Sequence, residues 1–122
     1  MDKEDHFSFR KRIKSFAYAW KGLGILFRRE HNARIHLVFT MGVIIAGILF
    51  HISPAEWCAI LICIGAVISA EAFNSSIEAL ADKITENQDP LIGKAKDLGA
   101  AAVLFLAIIS IGVACFIFIP KF

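Results

Sequence analysis

The chain has 122 residues, of which 57% are hydrophobic, and its formal net charge is only +2. Water-soluble domains usually contain about 45–50% apolar residues, so this composition favours a membrane protein over a soluble globular one. The charge is uneven, because nine of the 13 Lys and Arg residues lie in the first 34 positions. A basic start of this kind suits nucleic acid, but beside long apolar segments it fits an anionic membrane surface better.

The first predicted element is an amphipathic helix over residues 9–29. Its apolar side chains recur at steps of three and four, which places them on one helix face: Phe9, Ile13, Phe16, Trp20, Leu23 and Phe27. Lys and Arg side chains occupy the opposite side. A basic face opposite a Phe, Trp and Leu face is typical of a helix that lies in the membrane interface.

Three apolar segments follow and predict three membrane-spanning helices, over residues 35–52, 55–82 and 98–119. Between the first two, Ser53-Pro54 predicts a tight turn, with the proline in the first turn of the second helix. Asp89-Pro90 predicts the N-cap and first residue of the third helix. The predicted fold class is therefore all-α, as a single integral membrane domain with an N-terminal surface helix.

The basic residues also predict the orientation of the helices. The N-terminal segment and the region around the 84–95 loop carry nearly all of the Lys and Arg residues, whereas the turn at residues 51–56 carries none. Because cytoplasmic segments are enriched in Lys and Arg, we expect the N-terminus and this loop to be cytoplasmic. The turn and the C-terminus are expected on the outer side.

The second span carries a ladder of polar side chains, Glu71, Asn74, Glu78 and Asp82. Their spacing of three, four and four residues places them on one helix face. Counting about 1.5 Å per residue from Trp57 at the outer boundary puts Glu71 roughly 21 Å deep and Glu78 roughly 31 Å deep. Glu71 is therefore predicted to lie inside the apolar layer, with Glu78 and Asp82 at its cytoplasmic boundary.

These depths suggest chemistry. A carboxylate at the depth of Glu71 costs several kcal/mol unless it is paired or lines a cavity, so a functional role is favoured over helix packing. This depth suits a general base that takes a proton from a lipid hydroxyl. Glu78 and Glu30 lie where they could hold Mg²⁺, which is commonly bound through one or two carboxylates plus substrate phosphates. In Lys96-Asp97, the lysine can meet phosphate, and the aspartate can orient it or approach the metal.

The segment over residues 71–82, Glu-Ala-Phe-Asn-Ser-Ser-Ile-Glu-Ala-Leu-Ala-Asp, resembles the signature of the prokaryotic diacylglycerol kinase and undecaprenol kinase family. The likeness continues in Lys94-Ala-Lys96-Asp97 and in Tyr18-Ala-Trp20-Lys21-Gly22, and it covers about residues 10–122. The resemblance implies a small homotrimeric lipid kinase of the bacterial inner membrane. Such an enzyme moves the γ-phosphoryl group of ATP, with Mg²⁺, onto a lipid hydroxyl.

The resemblance also implies roles for individual residues. Glu71 corresponds to the general base, and Asn74 lies beside it on the face that meets the lipid substrate. Glu30 and Glu78 correspond to the Mg²⁺ ligands. The residues expected to contact ATP are Lys11 or Arg12, Tyr18, Glu30, Glu78, Asn87, Asp89, Lys96 and Asp97. The residue types at 87–89 differ from the family pattern, which leaves their contact with the nucleotide open.

The lipid substrate also stays open from the sequence. The stretches over residues 30–36 and 89–91 are more similar to the undecaprenol kinase branch, whereas residues 18–22 and 97–99 are more similar to the diacylglycerol kinase branch. Both formation of phosphatidic acid and formation of undecaprenyl phosphate are therefore candidates. The buried carboxylate alone would also suit a proton-coupled transporter with Glu71 as its relay, but that alternative gives no reason for Glu30 and Lys96-Asp97 to gather at the boundary.

Overall fold

The computed structural model describes residues 7–122, and this part of the chain contains α-helices and one 3₁₀ turn but no strand. The helices are α1 (Phe9–Arg29), α2 (His31–Leu49), α3 (Pro54–Ile84) and α4 (Pro90–Phe118), followed by the 3₁₀ turn Ile119–Lys121. The segments of α2, α3 and α4 are long and apolar enough to cross a membrane. The prediction of an all-α chain with three such helices and an N-terminal helix is confirmed.

Helix starts follow the predicted capping signals. Ser53 caps α3, accepting from the backbone N–H of Glu56 at 3.2 Å, and the Glu56 carboxylate accepts from the backbone N–H of Ser53 at 2.9 Å. Asp89 caps α4, its Oδ1 accepting from the backbone N–H groups two and three residues on. Pro54 and Pro90 are the first helical residues, where the missing proline N–H costs no hydrogen bond.

The end of α2 differs from the expectation that the apolar span over 35–52 is helical throughout. The helix ends at Leu49, and His51 takes a left-handed backbone conformation with φ of 52°. Ile52 stays apolar because it is buried in the core. The hydrophobic pattern thus continues through the turn for reasons of packing, which sequence periodicity does not separate from helix formation.

The best-packed part of the bundle is its turn end, defined by residues 50–53 and 119–122. Ile52, Ile60 and Ile117 are buried together there. Close approach of α2 to α3 is possible because residue 47 is glycine, since a Cβ atom at Gly47 would lie 2.7 Å from the ring of Trp57. The opposite end, the loop end, is defined by Glu30 and residues 85–89.

Much of the apolar surface of the single chain is exposed. Large side chains on all three long helices point outward, with Phe39, Phe73 and Phe105 as examples. Water does not cover such a surface favourably, whereas lipid chains or further copies of the chain do. Among the described residues, Glu71 is the one charged side chain that is buried, with 3% of its surface exposed.

Candidate active site

The polar ladder of α3 is graded from buried to exposed in the structure. Glu71 is buried, Asn74 is partly buried, and Glu78 and Asp82 are exposed near the loop end. This order is the one that depth counting from Trp57 predicts. The ladder therefore leads from the packed interior of the bundle to its polar end.

Glu71 has charged groups around it but no hydrogen bond for one of its oxygens. Its Oε1 atom is enclosed and has no hydrogen-bond partner among the described residues. His36 Nε2, on α2, lies 3.7 Å from Oε1, which is ion-pair range but longer than a hydrogen bond. The carboxylates of Glu30 and Glu78 also lie close enough to act on Glu71 electrostatically. Three acidic groups thus lie in one region of the bundle, Glu30 at the end of α1 and Glu71 and Glu78 on α3.

The corner between α1 and α2 brings Glu30 to this site. Glu30 ends α1 with its backbone N–H donating to Leu26 O at 3.0 Å, and its carbonyl accepts from the N–H of Arg34 at 3.2 Å. Leu26 and Ala33, on either side of the corner, are buried. The corner is therefore held by backbone hydrogen bonds and packing, which leaves the half-buried Glu30 carboxylate free for another role.

Lys96 on α4 closes the loop end by pairing with Asp82 on α3. The Lys96 Nζ atom donates to Asp82 Oδ1 at 2.8 Å, and Glu78 is close enough to act on the lysine charge. Lys96 thus takes its partner from α3 and not from the adjacent Asp97, because consecutive residues on a helix do not face each other. That Asp97 approaches the metal stays a prediction. Asp97 is exposed and forms no ion pair with another described residue.

The side chain of Asn74, a residue of α3, points toward α4. Its Oδ1 atom is enclosed and, among the described residues, has no hydrogen-bond partner. A Cβ atom at Gly99 would lie 2.5 Å from this oxygen, so glycine at this position permits the approach. Buried polar atoms without partners are rare in native proteins. Two of them one helical turn apart, at Glu71 and Asn74, mark this face as a site for a polar ligand.

A second polar feature is a cavity of about 750 Å³ at the loop end. It is lined by the 85–90 loop together with Asp82 and Lys96. Two predicted nucleotide contacts, Asn87 and Asp89, lie in this loop. Asp89 Oδ1 is occupied in capping α4, and the Asn87 backbone N–H donates to the Thr85 hydroxyl at 3.0 Å, so local hydrogen bonds fix the loop's shape.

Other predicted nucleotide contacts lie outside this cluster in the single chain. Lys11, Arg12 and Tyr18 are exposed on α1, with Tyr18 69% exposed, and their side chains form no hydrogen bond to another described residue. The structure thus brings together Glu30, Glu71, Glu78, Asn74, Asp82 and Lys96. It leaves the basic and aromatic residues of α1 at the surface.

His36 is the site residue that sequence reasoning missed. In the sequence it is one of two histidines near the ends of the first apolar span, and nothing in its spacing links it to α3. A signal was nevertheless present, since an ionisable side chain in an apolar span usually faces the bundle interior and pairs there. The structure supplies the partner, Glu71.

The donors suit Mg²⁺ only in combination with a substrate. Within residues 7–122, no group of three or more His, Cys, Asp or Glu side chains is arranged to hold a metal ion. Glu30 and Glu78 offer two carboxylates, and Mg²⁺ in phosphate-transferring sites is usually held by one or two carboxylates with the phosphates as further ligands. These residues therefore fit a metal that arrives with a phosphate substrate, and not a closed structural metal site.

Comparison with known proteins gives a consistent result. The model of a family described as prokaryotic diacylglycerol kinase matches residues 17–118. The chain is 38% identical over 122 residues to the undecaprenol kinase of Bacillus subtilis, covering 99% of each chain. It is 30% identical over 107 residues to the diacylglycerol kinase of Escherichia coli strain K12, covering 88% of each chain. It is also 31% identical over 109 residues to the diacylglycerol kinase of Synechocystis, covering 88% of this chain and 62% of that protein.

Proposed function

The chain belongs to the prokaryotic diacylglycerol kinase family and is a membrane phosphotransferase, and from this premise we propose that it transfers the γ-phosphoryl group of ATP to a lipid hydroxyl. The observation that carries the proposal is Glu71, a buried carboxylate on an apolar helix with an unpaired oxygen and two more carboxylates in electrostatic range. A proton relay would need only the buried carboxylate, and not the two further carboxylates near it. The convergence of Glu30 and Glu78, together with the kinase relatives, favours the kinase over a proton-coupled transporter.

We propose undecaprenol as the preferred lipid, and undecaprenyl phosphate as the product. The support is the 38% identity to the Bacillus subtilis undecaprenol kinase across 99% of both chains, against about 30% for the diacylglycerol kinases. The Glu30-to-His36 stretch, which resembles that branch, supports the same choice, and His36 lies beside Glu71. Diacylglycerol is the second candidate, because several relatives with that name match most of the chain.

The proposed mechanism assigns a step to each part of the cluster. Glu71 accepts the proton of the lipid hydroxyl as the hydroxyl oxygen attacks the γ-phosphorus, and the bond between the γ-phosphorus and the bridging oxygen of ADP breaks. Glu30 and Glu78 would hold the Mg²⁺ that neutralises phosphate charge, and Lys96 would contact the phosphates. Phosphoryl transfer depends mostly on such positioning and charge neutralisation, with little covalent chemistry for the protein to perform.

The remaining ATP contacts are proposed from the family resemblance. Asn87 and Asp89 line the loop-end cavity, whose volume of about 750 Å³ suits part of a nucleotide, and Asp97 follows Lys96, which also lines it. Lys11 or Arg12, and Tyr18, would approach the nucleotide from α1. We propose that the active form is a homotrimer in the bacterial inner membrane, with the N-terminus and the 85–89 loop on the cytoplasmic side, where ATP is present.

The test is a side-by-side kinase assay in detergent–lipid micelles. The purified protein is given γ-labelled ATP with Mg²⁺ and either undecaprenol or diacylglycerol, and labelled lipid is counted after chloroform extraction. We expect labelled product from both lipids, a higher kcat/KM for undecaprenol, and no product when EDTA replaces Mg²⁺. A higher kcat/KM for diacylglycerol would reverse the assignment of the lipid. No product from either lipid would refute the proposed activity.

A further inference from the structure

His36 lies between two different environments. On one side it lines an apolar groove of about 270 Å³ between α2, α3 and α4, whose walls include Ile60 and Val67. On the other side its Nε2 atom points toward Glu71 Oε1, 3.7 Å away. With 23% of its side chain exposed, the imidazole is neither a buried packing residue nor a freely solvated one.

The electrostatic surroundings of Glu71 give this contact its importance. Among the described residues, His36 is the one Lys, Arg or His side chain with a nitrogen atom within 4.0 Å of the Glu71 carboxylate. Lys96 is paired with Asp82 instead. A hydrogen bond to Oε1 of Glu71 would fix the orientation of this carboxylate, since Oε1 has no other partner among the described residues.

The two oxygens of Glu71 are not equivalent. Oε1 is the atom that faces His36, and it is enclosed and has no hydrogen-bond partner among the described residues. Because a carboxylate has two oxygens, a donor from His36 on Oε1 would leave Oε2 for the hydroxyl of the substrate.

We propose that His36 is a positioning residue for the base, holding Oε1 of Glu71 through its Nε2–H so that Oε2 is presented to the lipid hydroxyl. Bringing the two atoms to hydrogen-bond distance requires a movement of about 1 Å, well within side-chain rotation. This inference rests on the proposed function of Glu71 as the general base. It assigns to α2 a part in the reaction beyond carrying Glu30 at its start.

The test compares three substitutions at residue 36 in the full-length protein. His36→Gln retains an N–H donor near the position of Nε2, His36→Met has a similar length but no donor, and His36→Asn has a donor that is too short to reach Glu71. We expect the Gln variant to keep kcat within about threefold of the wild type. The Met and Asn variants should lose about tenfold or more in kcat, with the KM for Mg·ATP little changed, because a misplaced catalytic group costs turnover.

The control is His51→Asn, at an exposed left-handed turn position where asparagine is well tolerated. It should have wild-type kinetics, and thermal unfolding in detergent checks that each variant is folded. If the Met variant does not fold, the comparison of Gln with Asn decides. Equal kcat in all three variants, or equal losses in all three, would overturn the role of His36. Failure of the proposed function itself looks different, since the wild-type protein would then give no labelled lipid. Failure of Glu71 as the base would leave Glu71→Gln with wild-type activity.

Discussion

The two ends of the helical bundle are built differently. At the turn end, polar groups are paired: Ser53 and Glu56 exchange hydrogen bonds, and Lys121 Nζ lies 3.2 Å from Glu56 Oε2. The Phe50 ring packs edge-on against Phe118 and Phe122. Toward the loop end, by contrast, enclosed oxygens of the α3 ladder lack partners within the described chain. Lys96 pairs there with Asp82, and among the described residues Glu30 and Glu78 form no ion pair.

This difference indicates a division between stability and function. Native proteins depart from local rules of polar satisfaction mainly at functional sites, and the cost is offset elsewhere in the structure. The turn end supplies well-packed, well-capped structure. The loop end retains hydrogen-bonding capacity and negative charge, which we propose to serve the lipid substrate, phosphate and Mg²⁺.

The largest expected effect comes from substitutions within the ladder. Glu71→Gln removes the base, so kcat should fall by about 10²–10⁴-fold, the usual contribution of general acid–base catalysis. The affinity for Mg·ATP should be largely intact, because Glu71 is not placed on the metal. Glu78→Gln should instead weaken Mg·ATP binding. Steady-state kinetics with varied ATP and Mg²⁺ separates the two effects.

Stability provides the control for this pair. Because Glu71→Gln replaces an enclosed, unpaired carboxyl with a neutral group of the same shape, the Tm should not fall. A fall in Tm would mean that Glu71 is structural. Equal loss of nucleotide affinity in the Gln variants at 71 and 78 would contradict the separation of base from metal ligand.

The second prediction uses one glycine at each end. In Gly47→Ala the new Cβ meets the rigid ring of Trp57 at 2.7 Å, so helices must move apart and stability should fall by about 1–3 kcal/mol. In Gly99→Ala the new Cβ meets Asn74 Oδ1, the end of a side chain, at 2.5 Å. That amide can turn aside, so the loss of stability should be smaller and the loss of kcat larger.

Gly112→Ala is the matched control for both glycine variants. It lies on α4 with nothing within 4 Å of the new Cβ, so both Tm and activity should be unchanged or slightly raised, since alanine favours the helix. Denaturant unfolding in micelles and kcat per folded protein are measured for all three. If Gly99→Ala loses stability as much as Gly47→Ala and keeps its kcat, the functional reading of Asn74 fails.

Local and periodic features were predictable from the sequence. Residues 9–29 give the bounds of α1, Ser53-Pro54 and Asp89-Pro90 give two helix starts, and the i, i+3, i+7, i+11 spacing gives the ladder its face. Each of these depends on residues near one another in the chain. The end of α2 was not predictable from these local features. Ile52 is apolar because it is buried in the core, although His51 before it has already left the helix and adopts a turn conformation.

Contacts between helices were not predictable in the same way. Lys96 pairs with Asp82 and not with Asp97 because of the way α4 packs against α3. The spacing of residues within one helix does not predict such a contact. The approach of His36 to Glu71 depends likewise on the packing of α2. Depth counting ranks residues along the membrane normal, but it does not give rotation about each helix axis, and rotation decides the partners.

The smallest expected effect tests the turn end alone. Glu56→Gln keeps an oxygen that can accept from the Ser53 N–H, so the capping box survives, but it removes the charge that attracts Lys121. The pair is only partly buried, and ion pairs that water and salt can reach contribute little. The Tm should therefore fall less than in Gly47→Ala, and added salt should reduce the difference from the wild type. Lys121→Met should lower the Tm similarly, and the double variant should lower it no further than either single one.

Kinase activity should stay at the wild-type level in all three. A loss of kcat in Glu56→Gln would show that the two ends are coupled, because the nearest ladder residue, Glu71, is 15 positions away along α3.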